Sequence, residues 1–137
     1  MGWPDALAPA ARLPRALGAL LGLAVGDALG TTNEFKPMIA PTFPELATGP
    51  ISDIVGGGPF GLQAGQVTDD TQMASAIADL FWKVNMFTSG TLAVRYLAWR
   101  GVAFDVGAQI GQALDLIQRG CPPERAGRLV WDERNRF

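Results

Sequence analysis

Apolar positions in this sequence recur at helical spacing, and one long stretch rich in proline and glycine breaks the pattern. Gly18, Gly22, Gly26 and Gly30 fall every fourth residue and so form one stripe down a helix, flanked by Leu17, Leu20, Leu21, Ala24, Val25 and Ala28. The spacing predicts a first helix from about Pro14 to about Thr31. Each glycine costs about 1 kcal/mol relative to alanine in a helix interior. The stripe therefore reads as the face of a central helix with neighbours pressed onto its backbone. The apolar run Ala16–Val25, preceded by Arg12 and Arg15, has the look of a signal peptide. It is shorter than the roughly 20 residues a bilayer requires, and Asp27 follows it before any small-residue cleavage site, so a buried helix is the expectation.

Between Lys36 and Val67 the helical pattern stops. Pro37, Pro41, Pro44, Pro50 and Pro59 alternate with Gly49, Gly56, Gly57, Gly58, Gly61 and Gly65, a density of breakers that no helix survives. Phe43, Leu46, Ile51, Ile54, Val55, Phe60 and Leu62 are scattered through it, which predicts a loop packed on the body and serving function. A second helix is predicted to open at Thr68-Asp69-Asp70-Thr71-Gln72, where Thr68 or Asp69 can cap and Gln72 completes a capping box. Met73, Ile77, Leu80, Phe81 and Val84 give it an apolar face. A third helix starts at Ser89-Gly90 and ends near Gly101, and Asp105 is placed to cap a fourth carrying Ile110, Leu114 and Ile117. Gly120 and Pro122-Pro123 stop that helix, and a last short one follows from Pro123 to about Val130. No strand pattern competes, so the predicted class is all-α, a single domain over residues 1–137.

Composition narrows the chemistry. The 137 residues are 48% hydrophobic, enough for a core, and 11 Lys+Arg against 13 Asp+Glu leave a net charge of −2. That balance excludes a basic nucleic-acid binder. The sequence has no histidine, so acid–base work falls to carboxylates, hydroxyls or metal-bound water. Cys121 is the single cysteine, which excludes an internal disulfide and a multi-cysteine zinc site and suits a cytoplasmic protein with no membrane partner.

The run Thr68-Asp69-Asp70-Thr71 carries more oxygen than a helix cap needs. Adjacent carboxylates repel, and the helix dipole relieves that by only about 0.3–1 kcal/mol per charge. A hard divalent cation would relieve it far more, and carboxylate and hydroxyl oxygens are the donors that Mg²⁺ and Mn²⁺ take. Taken alone, these residues fit either an over-capped helix start or a cation site, and the glycines approaching them let backbone come close to a ligand. Glu34, taken alone, reads as a solvated acid at a helix end. Asp27, inside an apolar helix, requires a partner and reads as structural.

The segments Gly26-Asp-Ala-Leu-Gly30, Glu34-Phe35, Gly56-Gly-Gly-Pro-Phe60 and Gly65-Gln-Val-Thr-Asp-Asp-Thr-Gln-Met73 together resemble the ADP-ribosylglycohydrolase family, most of all its bacterial dinitrogenase-reductase-activating type. Tyr96-Leu-Ala-Trp99, Phe104-Asp-Val-Gly107 and Ala113-Leu114 continue the resemblance in order and spacing. The resemblance implies an all-helical fold that holds two Mg²⁺ or Mn²⁺ ions and cleaves the bond between ADP-ribose and a protein side chain, often arginine. It implies Thr68, Asp69 and Asp70 as metal ligands, and Asp70 with Glu34 as the catalytic carboxylates. Asp105 and Gly107 are implied on the ribose side. It further implies that the family's remaining ligands come from an Asp-x-Asp-Thr stretch, and that an Asn-Gly-x-x-Met-Arg loop binds the pyrophosphate. Neither is present in these residues, and Ala108-Gln109-Ile110 stands where a threonine pair is expected. The expectation is an N-terminal half that holds at most one ion weakly, is inactive alone and self-associates through exposed apolar surface. The alternative is a non-catalytic helical module.

Overall fold

The computed structural model describes residues 9–36, 53–83 and 87–134. It is all-α, with helices α1 (Pro9–Gly30), α2 (Asp69–Lys83), α3 (Ser89–Arg100), α4 (Ala108–Gln118) and α5 (Pro123–Arg134), and a short 3₁₀ turn at Thr31–Asn33. Among the described residues the nearest approach to a strand is an isolated antiparallel bridge between Gly57 and Leu62. The chain forms two compact units, divided between Thr71 and Gln72.

In the first unit α1 begins several residues earlier than its apolar pattern suggests and carries Pro14 inside it. The segment Arg12–Asn33 is thereby long and apolar enough, by length and composition, to cross a membrane. The glycine stripe corrects an expectation. A Cβ built at Gly18, Gly22, Gly26 or Gly30 would meet nothing within 4 Å, so among the described residues no neighbour is pressed onto this face. Gly22, Gly26 and Gly30 instead line an open cleft, and their missing side chains leave room for it. Leu13, Leu17, Leu21, Leu23 and Val25 of α1 are exposed.

The described part of the glycine-rich segment folds into a tight loop. Gly57 and Leu62 exchange both backbone hydrogen bonds, at 2.7 and 2.9 Å, and Leu62 is buried. The loop docks on the 3₁₀ turn, where the Thr32 hydroxyl donates to the Gly56 carbonyl at 3.0 Å. Gly58 lies so close that a Cβ there would stand 2.2 Å from the Thr31 carbonyl oxygen. Phe43, Leu46 and Ile51 lie outside the described residues.

The second unit is built on α3, α4 and α5, with the greater part of α2. Helix α4 packs on α5, and α3 packs on both. Leu80, Ala93, Leu114, Ala126 and Val130 are buried there. Val84, counted in the apolar face of the second helix, lies outside the described residues. Thr88 caps α3 through a reciprocal box with Thr91. Gly107 occupies the N-cap of α4 with no side-chain bond, so Asp105, two residues further out, is not the cap its position suggested. At the other end of α4, Gly120 takes φ +93°, its N–H donates to the Ile117 carbonyl and Cys121 N–H donates to that of Leu116. This pair of bonds is a Schellman closure, and it satisfies carbonyls that the helix end would orphan. Pro123 then starts α5, which runs a turn beyond the expected Val130. Ion pairs Arg95–Asp79 (2.5 Å) and Arg100–Asp115 (2.7 Å) and a bond from Trp99 Nε1 to Gln72 Oε1 (2.7 Å) tie these helices at their margins.

Candidate active-site cleft

The first unit holds a cleft of about 580 Å³ between the C-terminal half of α1, the 3₁₀ turn and the first residues of α2. Among the described residues its walls carry four carboxylates, Asp27, Glu34, Asp69 and Asp70, together with Thr31, Asn33 and Thr68, and no Lys or Arg. Negative charge gathered at a concave surface raises the local concentration of cations. The cleft floor is the glycine stripe, so backbone rather than side chain borders much of it.

Asp27 organises this site. Its Oδ2 accepts from Thr68 N–H (2.9 Å), Thr71 N–H (3.3 Å) and the Thr71 hydroxyl (2.5 Å), while Oδ1 accepts from the Thr68 hydroxyl (2.8 Å). The first N–H groups of a helix have no partner inside it. Here the carboxylate of α1 supplies one, so α2 is capped from another helix. The side-chain carbonyl of Gln72 serves Trp99. Partial burial alone would raise the Asp27 carboxyl, but the bonds from Thr71 and Thr68 outweigh it and hold the group below the usual aspartate value. A carboxylate inside an apolar helix is tolerable because it is paired in this way. The sequence signal was present, an acid requiring a partner; the two threonines that meet it lie 41 and 44 residues away.

Of the residues expected at a site, Glu34, Thr68, Asp69 and Asp70 line this one cleft. Thr68 is buried, Asp69 and Glu34 are half-buried and Asp70 is exposed. Glu34 is set by the turn after the 3₁₀ segment, and Phe35, which follows it, holds φ +60° and meets Phe60 edge-on at 6.0 Å. Asp105 and Gly107 lie on the connection between α3 and α4, in the second unit, and are not among the residues of the cleft.

The donors suit a hard cation in kind. Mg²⁺ takes oxygen ligands, keeps several waters and is commonly held by one or two carboxylates. One hydrated ion at Thr68, Asp69 and Asp70 is compatible with that. Among the described residues no group of three or more His, Cys, Asp or Glu side chains is gathered closely enough to hold a metal ion, so Asp69 and Asp70 offer a pair of carboxylates beside Thr68 and not a cluster.

The chain is 42% identical over 117 residues to an ADP-ribosylarginine hydrolase of Pseudomonas putida, covering 80% of this chain and 29% of that protein. It is 37% identical over 143 residues to an ADP-ribosylarginine hydrolase of Serratia proteamaculans, covering 93% and 37%. A shorter stretch of 65 residues is 52% identical to the ADP-ribosyl-dinitrogen reductase glycohydrolase of Rhodospirillum rubrum, covering 46% of this chain and 20% of that one. Among solved structures, an ADP-ribosylglycohydrolase-related protein complex superimposes with a TM-score of 0.66 at 35% identity, over 87% of this chain and 40% of that chain. The chain thus spans about a third of the length of the two arginine hydrolases. A profile of the ADP-ribosylglycohydrolase family matches residues 8–134, nearly the whole sequence, and the chain belongs to that family.

Proposed function

We propose that this chain supplies one wall of the active site of a metal-dependent hydrolase that cleaves ADP-ribose from a modified protein, with arginine as the acceptor side chain. The observation that carries the reading is the convergence of Thr68, Asp69, Asp70 and Glu34 on one cation-attracting cleft. The two relatives named as ADP-ribosylarginine hydrolases support the substrate class. In this reading Thr68, Asp69 and Asp70 hold Mg²⁺ or Mn²⁺, two ions being present in the complete site. Bound metal supplies Lewis-acid stabilisation and an activated water. Asp70 and Glu34 are the carboxylates that face the reacting sugar: each accepts a hydrogen bond from a ribose hydroxyl or a water and orients it. Asp105 and Gly107 contact the ribose from the α3–α4 connection. We take the protein to act in the cytoplasm with neither nucleic acid nor membrane as partner, and the exposed apolar residues of α1 to be covered by self-association.

The candidate ligands set the ion count. Asp69, Asp70 and Glu34 supply −3 against the +4 brought by two dications, and the fourth carboxylate of the cleft, Asp27, has both oxygens committed to Thr68 and Thr71. The 137 residues therefore bind a single Mn²⁺ weakly and turn over ADP-ribosyl-arginine at no useful rate, because substrate positioning and charge stabilisation are both incomplete. Mn²⁺ titration of the isolated chain should reveal at most one site, lost in Asp69→Ala and Asp70→Ala. Two tight sites would overturn the ion count. Mn²⁺-dependent release of ADP-ribose from arginine-modified protein, abolished by Asp69→Asn, would mean that these residues form a whole site. No Mn²⁺ binding at all would favour the non-catalytic module.

A further inference from the structure

We infer that Asp27 is a positioning residue whose carboxylate takes up the Thr68 hydroxyl proton, so that Thr68 Oγ presents only lone pairs to a bound cation. The inference rests on reading the cleft as a cation site, and it concerns a residue outside the candidate ligand set. A threonine hydroxyl has one proton and two acceptor lone pairs, and its proton rotates to whichever acceptor is nearest. A dication attracts the lone pairs and repels the proton. An unanchored hydroxyl would therefore sample orientations that do not ligate. Thr68 is anchored: Oγ donates to Asp27 Oδ1 at 2.8 Å, and its own N–H donates to Asp27 Oδ2 at 2.9 Å. Thr68 is buried, which keeps competing solvent from that hydroxyl.

The chemistry of the lock requires a carboxylate. All four groups that meet Asp27 are donors, two N–H and two O–H, so the partner must accept on both oxygens. Asparagine has one acceptor oxygen and an NH₂ that only donates. With its amide oxygen where Oδ2 stands, the side chain introduced by Asp27→Asn would keep the three bonds from Thr68 N–H, Thr71 N–H and the Thr71 hydroxyl. Its NH₂ would then donate to Thr68 Oγ, reversing the fourth bond. That reversal consumes a Thr68 lone pair and releases the hydroxyl proton from Asp27, so that it competes with a cation for the space at Oγ. Asp27→Asn thus separates two roles that other substitutions confound: most of the helix cap survives while the ligand's polarity is inverted. Groups that orient metal ligands in this way typically change metal affinity by about 10–100-fold when mutated.

The test is Mn²⁺ binding by electron paramagnetic resonance on the whole chain, with thermal melting alongside. Asp27→Asn should weaken Mn²⁺ by about 10–100-fold and alter the zero-field splitting of the ion that remains bound, with most of the wild-type melting temperature retained. Thr71→Val removes a side-chain bond to Asp27 but leaves the Thr68–Oδ1 bond, so it should lower the melting temperature with a smaller loss of affinity. Equal losses in Thr71→Val and Asp27→Asn would make the lock purely structural and overturn the inference. So would wild-type affinity in Asp27→Asn when Asp69→Asn abolishes binding. Binding that survives Asp69→Asn would overturn the cation reading of the cleft and this inference with it. A second measurement avoids any folding defect: in the wild-type protein, saturating Mg²⁺ should shift the Thr68 hydroxyl proton resonance downfield and slow its exchange with water. A resonance indifferent to Mg²⁺ would overturn the inference.

Discussion

Replacing Gly58 by alanine tests how the glycine-rich loop is seated beside the cleft. Gly58 holds φ +67°, a left-handed conformation that costs an L-residue about 1–2 kcal/mol. Its added Cβ would stand 2.2 Å from the Thr31 carbonyl oxygen and 3.2 Å from the Thr32 Cα, both backbone atoms that no rotamer change can move. Overpacking of this kind costs a further ~1–3 kcal/mol. Gly57 provides the internal control, since it too has positive φ, +82°, but nothing lies within 4 Å of its Cβ position. Gly57→Ala should therefore show the conformational cost alone, and Gly58→Ala the sum, about 2–5 kcal/mol. Parallel thermal melts of the two variants measure the difference. In Gly58→Ala the loop should also lift from the 3₁₀ turn, breaking the bond from the Thr32 hydroxyl to the Gly56 carbonyl and exposing residues 53–66 to protease. Equal melting temperatures and equal cleavage in the two variants would refute the close approach.

Three further outcomes follow from the same geometry. Gly18→Ala should stabilise the protein by about 0.5–1 kcal/mol, because helix propensity improves and nothing lies within 4 Å of the new methyl; a lower urea midpoint would mean that the stripe is packed after all. Leu80→Ala should cost about 2–5 kcal/mol in urea unfolding, since Leu80 is 2% exposed and its removal leaves a cavity; a loss under about 1 kcal/mol would place Leu80 outside a packed core. Asp27 is held below its ordinary value of 3.8, so the stability it contributes is present above that pH and lost as pH falls through the lower folded value. The acid limb of a stability–pH curve should accordingly flatten in Asp27→Asn without vanishing, because Asp79, lowered first by its bond from Lys83, and Glu124, lowered first by its bond from Ser89, titrate with the same sign. An unchanged limb would contradict the four bonds.

Helices announced by periodicity and punctuation were legible in the sequence. The third, fourth and fifth helices start at or near the expected residues because Thr88 with Thr91, Gly107 and Pro123 act within a turn of where they stand. Gly120 ends the fourth by the local rule that favours glycine after a helix. Long-range consequences were not legible. The glycine stripe suggested a close-packed helix face, since the ~1 kcal/mol cost of each glycine called for a compensating neighbour. In the structure the same absence of side chains makes room for a cleft lined by Gly22, Gly26 and Gly30. The part Asp27 plays at the start of α2 was hidden for a related reason. A local capping pattern shows in Thr68-Asp69-Asp70-Thr71-Gln72, but the acceptor for the Thr68 and Thr71 N–H groups is a carboxylate 41 and 44 residues away, and charge-assisted bonds are roughly twice as strong as neutral ones.

That cap links the fold to the candidate chemistry. A helix that opens Thr-Asp-Asp-Thr brings two carboxylates next to each other at its first turn, and a local cap would spend one of the threonine hydroxyls on the helix's own backbone. Because Asp27 caps from outside, both hydroxyls point to it as donors. Asp69 and Asp70 line the cleft with Glu34. The aspartate in Gly26-Asp-Ala-Leu-Gly30 and the Thr-Asp-Asp-Thr run are thus one device in two pieces of sequence. The first accepts the N–H and hydroxyl protons of the second's two threonines, and the second's two carboxylates line the cleft.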